Sequence, residues 1–193
     1  MIDEASDLFR QVAANMAKVA ESPYVDAIGR AVALLHDTFA AGRKLLVFGN
    51  GGSSADAQHL TAELVGRFAF DRKPLPAIAL TTNQAILTAW SNDHSFADLF
   101  ARQIDALGAP GDVAWGISTS GTSPNVVNGL RRARERGLHT IGMTGHSGGD
   151  MTGLCDVLLA VPLDSTARIQ EVHLVTYHGI CAALEKRLFR GSD

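Results

Sequence analysis

The 193-residue chain predicts an α/β fold of three layers: a doubly wound parallel five-stranded sheet between helices, in flavodoxin-like strand order 2-1-3-4-5. Three observations carry this. From residue 44 onward, short apolar runs alternate with amphipathic stretches at helical spacing. Helices between successive strands imply parallel pairing with right-handed crossovers. Two of the apolar runs end in small-residue turns that open directly into helices, which suits the winding reversal between strands one and three. The length fits one domain over 1–193, with a helical hairpin over 1–42.

Taken in order, Ala5, Leu8, Phe9, Val12, Met16 and Val19 give helical spacing over 3–20. Ser22-Pro23 breaks it, and a second helix over 24–40 carries Val25, Ile28, Val32, Leu35 and Phe39 on one side. Gly42 is its stop. Two helices ahead of the first strand exceed what one sheet face needs, so the hairpin is expected to pack against a partner subunit. Strands are then predicted over 44–48, 77–81, 113–118, 140–144 and 156–161. Helices are predicted over 53–68, 83–90, 96–107, 124–136 and 166–189.

Composition narrows the class. Apolar residues make up 46% and charged residues 19%, as in a globular protein. A net charge of −3 argues against a general nucleic-acid binder, while a small anion remains compatible because helix N-termini supply positive potential themselves. Cys155 and Cys181 lack metal-type spacing and read as reduced core thiols of a cytoplasmic protein. No apolar run approaches the length of a membrane span.

Gly49-Asn50-Gly51-Gly52-Ser53 follows the first strand. A strand, a tight turn and a helix N-terminus bring unpaired N–H groups to one point, where an anion is favoured. A strand-to-helix turn needing glycine only for geometry fits the same residues. His59 and Glu63 stand at i, i+4 on one helix face, as a metal ligand beside a base or as a solvated pair. Ser118-Thr119-Ser120-Gly121-Thr122-Ser123 offers five hydroxyls before a helix, where one cap needs one. The predicted topology sets it beside the first turn, which together suggest a sugar-phosphate site. On the last helix, Gln170 and His178 lie eight residues apart, about 12 Å along a regular helix, so they share an ion only through extended side chains or a second subunit.

Gly49-Asn50-Gly51-Gly52-Ser53, Gln58-His59 with Glu63, Asn92-Asp93, the hydroxyl loop, and Arg168-Ile169-Gln170-Glu171 through His173 and His178 together resemble the sedoheptulose-7-phosphate isomerases of the sugar-isomerase (SIS) fold. The resemblance runs over nearly the whole chain. It implies an enzyme converting D-sedoheptulose 7-phosphate to D-glycero-D-manno-heptose 7-phosphate through an enediol. It further implies Glu63 as base and His178 as acid/base. Asn50, Gly51, Gly52, Glu63, Asn92, Asp93, Ser118, Thr119, Ser120, Ser123 and Gln170 would contact substrate. His59, Glu63, Gln170 and His178 would bind one zinc per subunit. The assembly implied is a homotetramer with sites at subunit interfaces.

The chemistry suits these residue types: a carboxylate can take a proton from carbon, an imidazole can serve the oxygens, and zinc can polarise a carbonyl. Three alternatives remain at this point. One is a non-catalytic relative that binds the bacterial replication initiator; such proteins typically lack the counterparts of Glu63 and His178, both present here. The others are an isomerase of another phosphosugar and a regulatory sugar-phosphate sensor, which would need no base. His36 reads as a packing or surface residue, His94 beside Asp93 as a surface residue or one that reaches the site, His139 and His146 as loop residues, and Trp90 and Trp115 as core aromatics.

Overall fold

Alternating side-chain faces along each strand decide the layering. In the computed structural model, which describes residues 2–190, β1 (Leu45–Gly49) turns Leu45 and Val47 to one side and Leu46 and Phe48 to the other, all fully buried. β2 (Ala77–Ala79), β3 (Val113–Ile117), β4 (His139–Gly145) and β5 (Val157–Val161) join it in the order β2-β1-β3-β4-β5, every pair parallel. This is the expected order, with the winding reversing between β1 and β3.

The face of Leu45, Val47, Trp115, Ile141 and Leu159 is covered by α2 (Tyr24–Ala40), α3 (Gly52–Val65) and α7 (Thr166–Phe189). The hairpin partner α1 (Ile2–Ala20) buries Val19 there but leaves Leu8 and Phe9 exposed. The opposite face, with Leu46, Phe48 and Ala114, packs on α5 (Leu99–Leu107) and α6 (Pro124–Glu135). α4 (Gln84–Asp93) has no buried residue and rests on α5 and the short 3-10 turn Phe96–Asp98. No helix among the described residues is long and apolar enough to cross a membrane.

Element ends differ from the periodicity for local reasons. α3 stops at Val65 instead of running to residue 68, because the Arg72 guanidinium takes the carbonyls of Glu63 and Leu64 at 2.7 and 2.6 Å. α4 starts after Asn83, whose side chain accepts from the Ile86 N–H at 3.1 Å, and it runs on to Asp93. Ser95 caps the 3-10 turn through the Ala97 N–H and separates it from α5. Of the two tryptophans, Trp115 is fully buried, whereas Trp90 is half-exposed and stacks on His94 with ring centroids 4.0 Å apart.

One core residue predicts a pH effect. His173 on α7 is fully buried, its Nε2 3.3 Å from the Thr144 carbonyl oxygen. Burial lowers its pKa to about 4, against a small opposing effect of that carbonyl. Between about 4 and 6.5 the unfolded chain therefore binds a proton that the folded chain does not, so stability rises with pH there. The contribution is fully present above 6.5 and is lost as pH falls toward 4. Denaturant titration should show about 2 kcal/mol less stability at pH 5 than at pH 7. His173→Gln, which can still donate to Thr144 but does not titrate, should remove most of that drop.

Candidate active site

The carboxyl ends of β1 and β3 lie side by side, with Gly49 opposite Ile117. Each strand feeds a helix N-terminus here, α3 at Gly52 and α6 at Pro124. Gly51 takes φ 55° and ψ −121°, and a Cβ on Gly52 would overlap the Gln170 amide of α7. Glycine at 51 thus meets a backbone requirement, while a side chain at 52 would displace the Gln170 amide. A reciprocal amide pair ties the two turns: the Asn50 and Asn125 side chains exchange two hydrogen bonds of 2.8 Å. The Asn50 amide is therefore engaged within the protein, and what its turn offers a ligand is main-chain N–H.

The hydroxyl loop folds on itself. Ser118 Oγ lies 3.0 Å from Ser123 Oγ and 3.4 Å from Ser120 Oγ, and Ser120 Oγ accepts from the Thr122 hydroxyl at 3.0 Å and the Thr122 N–H at 3.2 Å. Ser123 occupies the N-cap of α6, yet its side chain makes no capping bond. Capping therefore does not explain this serine. A ring of hydroxyls beside helix N-termini can wrap an anion's oxygens without a fixed positive charge.

A second constellation lies between α3 and α7. His59 Nε2 is 3.0 Å from Glu63 Oε1, and His178 Nε2 is 3.5 Å from His59 Nε2. The three ligand atoms all lie within 4.8 Å of one another. Two ligands at tetrahedral angles around zinc stand roughly 3.3 Å apart, so this donor set fits a small cation. Phe68 and Tyr177 pack against the His178 ring, with centroids 5.4 and 5.0 Å away.

Behind His59 stands a polar relay. Tyr177 Oη is 3.0 Å from His59 Nδ1 and 3.5 Å from Asp56 Oδ1, while Asp56 Oδ2 is buried with no partner. Burial raises the Asp56 pKa, against the Tyr177 hydroxyl bond and the His59 charge. Burial also raises that of Tyr177, as does the neighbouring Asp56. A Tyr177 hydroxyl turned to His59 leaves the imidazole proton on Nε2, facing Glu63. Turned to Asp56, it accepts from Nδ1–H and bares Nε2 as a ligand.

Of the expected site residues, His59, Glu63 and His178 are brought together, as are Ser118, Ser120 and Ser123. Gln170 lies over Gly52, two helical turns along α3 from His59. The Thr119 carbonyl oxygen accepts the Gly145 N–H at 2.9 Å. Asn92 and Asp93 end α4, exposed and bonded to each other at 2.8 Å.

Known proteins share this fold. Residues 7–145 fit the SIS domain. A phosphoheptose isomerase of Synechocystis sp. is 53% identical over 184 residues, 95% of either chain. The phosphoheptose isomerase structure from Francisella tularensis superposes with a TM-score of 0.91 at 35% identity, over 96% of this chain and 98% of that one. The one from Neisseria gonorrhoeae gives 0.89 at 38%, over 95% and 98%. The chain belongs to the phosphoheptose isomerases of the SIS-domain family.

Within this phosphoheptose isomerase family member, three residues that pattern-reading passed over support the site. Asn125, 1% exposed, reads in sequence as an ordinary first-turn residue of α6. Tyr177 reads as core because it sits at helical spacing with other buried groups of α7. Arg72 lies in a loop without periodicity. Only the tyrosine, next to His178, carried a signal that could have been followed.

Proposed function

We propose that this chain isomerises D-sedoheptulose 7-phosphate to D-glycero-D-manno-heptose 7-phosphate. The observation that carries the reading is the joint presence of an anion cradle at two helix N-termini and a His59–Glu63–His178 group between α3 and α7. Their spacing suits the substrate: His59 lies about 10 Å down α3 from Gly52 by helical rise, and in a heptulose 7-phosphate the phosphate and the reacting carbons are at opposite ends of the chain.

In this reading the Gly51-Gly52 turn and the hydroxyls of Ser118, Thr119, Ser120 and Ser123 hold the phosphate and nearby oxygens. Gln170, beside Gly52, orients the sugar. Glu63 takes a proton from C1 of the ketose as O2 is protonated, giving the enediol. The C1 hydroxyl then loses its proton as C2 gains one, so the aldose forms with no net change in protons. His178 moves the oxygen-bound protons. Uniform binding of phosphate lowers KM, whereas these proton transfers set kcat.

Zinc is the cofactor we assign, with His59, Glu63 and His178 as ligands; Gln170, which lies over Gly52 in the same chain, would complete the set only from a neighbouring subunit. When bound it supplies Lewis-acid polarisation of the substrate carbonyl. We also assign a homotetramer with sites at subunit interfaces. In support, α4 buries nothing in the isolated chain while carrying Asn92 and Asp93, and α1 of the 1–42 hairpin leaves Leu8 and Phe9 exposed. We place the enzyme in the cytoplasm, in keeping with the free thiols of Cys155 and Cys181.

A coupled assay on sedoheptulose 7-phosphate, run untreated, after chelation and after zinc return, tests the reading. Turnover should fall at least tenfold on chelation and recover with zinc. Activity indifferent to chelation would remove zinc from the reaction. Absence of turnover in folded protein would sink the substrate assignment and turn attention to other phosphosugars or to the initiator-binding alternative.

A further inference from the structure

Arg72, in the loop after α3, and Glu185, near the end of α7, form an ion pair of 3.0 Å with each side chain 1% exposed. The Glu185 carboxylate also accepts the Phe68 N–H at 2.8 Å and the Ala69 N–H at 2.9 Å. The other Arg72 donors go to main-chain carbonyls. Nη1 reaches Leu64 at 2.6 Å, Lys73 at 3.1 Å and Gly66 at 3.2 Å, and Nη2 reaches Glu63 at 2.7 Å. The last carbonyls of α3 lack partners within the helix, so this one guanidinium closes the helix end and joins it to α7.

The chain positions give the pair its meaning. Arg72 bonds directly to the main chain of Glu63, the residue whose carboxylate faces His59. Glu185 stands seven residues beyond His178, two helical turns on, and therefore on the same side of α7. Phe68, whose N–H Glu185 holds, is the ring packed on His178.

We propose that Arg72 and Glu185 are positioning residues for the isomerisation, fixing how far His59 and Glu63 on α3 stand from His178 on α7. The proposal rests on the reading above in that Glu63 and His178 are the proton-moving groups. Stability alone does not require an ion pair here, because well-packed apolar groups of similar volume often replace one without loss. Placement does require it: no apolar side chain can hold the Glu63 carbonyl, and displacements of about 1 Å can cost about a hundredfold in rate.

The test uses the full chain with Arg72→Met/Glu185→Leu and, separately, Arg72→Lys, which keeps the charge but not the planar fork. Folding is checked by denaturant titration. Histidine-ring 15N shifts report the surroundings of His59 and His178 independently of turnover, with half-buried His36 on α2 as reference. Each folded variant should lose tenfold or more in kcat with KM within about threefold, and ring shifts should move at His59 and His178 but not at His36. A folded variant with wild-type kcat and unmoved shifts overturns the proposal. If the apolar pair fails to fold, Arg72→Lys decides alone on the same criteria. If the wild type does not turn over sedoheptulose 7-phosphate, the isomerase reading fails separately, and the ring shifts decide the positioning: moved supports it, unmoved overturns it.

Discussion

Glu63→Gln is expected to lower kcat on sedoheptulose 7-phosphate by about a thousandfold while the protein remains folded. General-base contributions typically run from about a hundredfold to ten-thousandfold, and an amide of the same shape cannot take a proton from carbon. The fold should not notice the change. The Glu63 side chain is 22% exposed, and its side-chain contact is the 3.0 Å approach to His59 Nε2, which an amide oxygen can reproduce. Its main-chain bond to Arg72 is untouched by the substitution. Because Glu63 is assigned both as ligand and as base, metal content must be measured on the same preparation. An inactive variant that retains zinc identifies the base. An inactive variant without zinc assigns the loss first to ligation, and resupplying zinc in excess then separates the two. Wild-type turnover would remove Glu63 from the proton transfer altogether.

The strand order was readable because three of the four crossovers contain an α-helix, the last holding only a 3-10 turn over Gly149–Met151, and doubly wound sheets have few ways to arrange five such strands. The hydroxyl loop was readable because its composition exceeds what capping uses, and the Ser123 side chain, bonded to Ser118 instead of capping α6, shows that excess in space. The pair His59 and Glu63 was readable from helical spacing, since i, i+4 fixes a shared face. What joined them to His178 was not, because that contact spans 119 positions and depends on how α3 and α7 pack. Arg72 and Glu185 escaped for the same reason: 113 positions apart, they follow no period, and a loop arginine normally reads as solvated. The end of α3 was misjudged as a consequence. Periodicity continued to residue 68, but a guanidinium that claims the carbonyls of Glu63 and Leu64 ends the helix three residues earlier.

Gly121→Ala should damage both stability and phosphate binding, and the two effects have one physical origin. Gly121 has φ +70°, and a Cβ there would meet the Gly148 carbonyl carbon at 2.6 Å and the Gly149 nitrogen at 2.9 Å. Both neighbours are main chain, so no side-chain rotation relieves the contact; one of the two loops must move. Left-handed backbone costs a non-glycine residue about 1–2 kcal/mol, and forcing apart a packed contact adds about 1–3 kcal/mol. A total loss of roughly 3 kcal/mol is expected. Gly153→Ala isolates the first contribution, because Gly153 has φ +80° with nothing within 4 Å. It should cost about 1 kcal/mol and leave kinetics alone. The extra loss in Gly121→Ala must be taken up by the hydroxyl loop or by the 145–149 segment that Thr119 holds through the Gly145 N–H. Either movement shifts Ser118, Ser120 and Ser123 relative to one another. Each hydrogen bond to a charged oxygen is worth about 1.5–3 kcal/mol, so weakening one raises KM by roughly tenfold to a hundredfold. Because the cradle holds the phosphate in ground and transition states alike, kcat should change far less than KM. A Gly121→Ala protein as stable as Gly153→Ala, with wild-type KM, would show that the crossing of the two loops does not shape the phosphate cradle. A variant losing kcat at constant KM would instead couple this loop to the proton-transfer groups on α3 and α7.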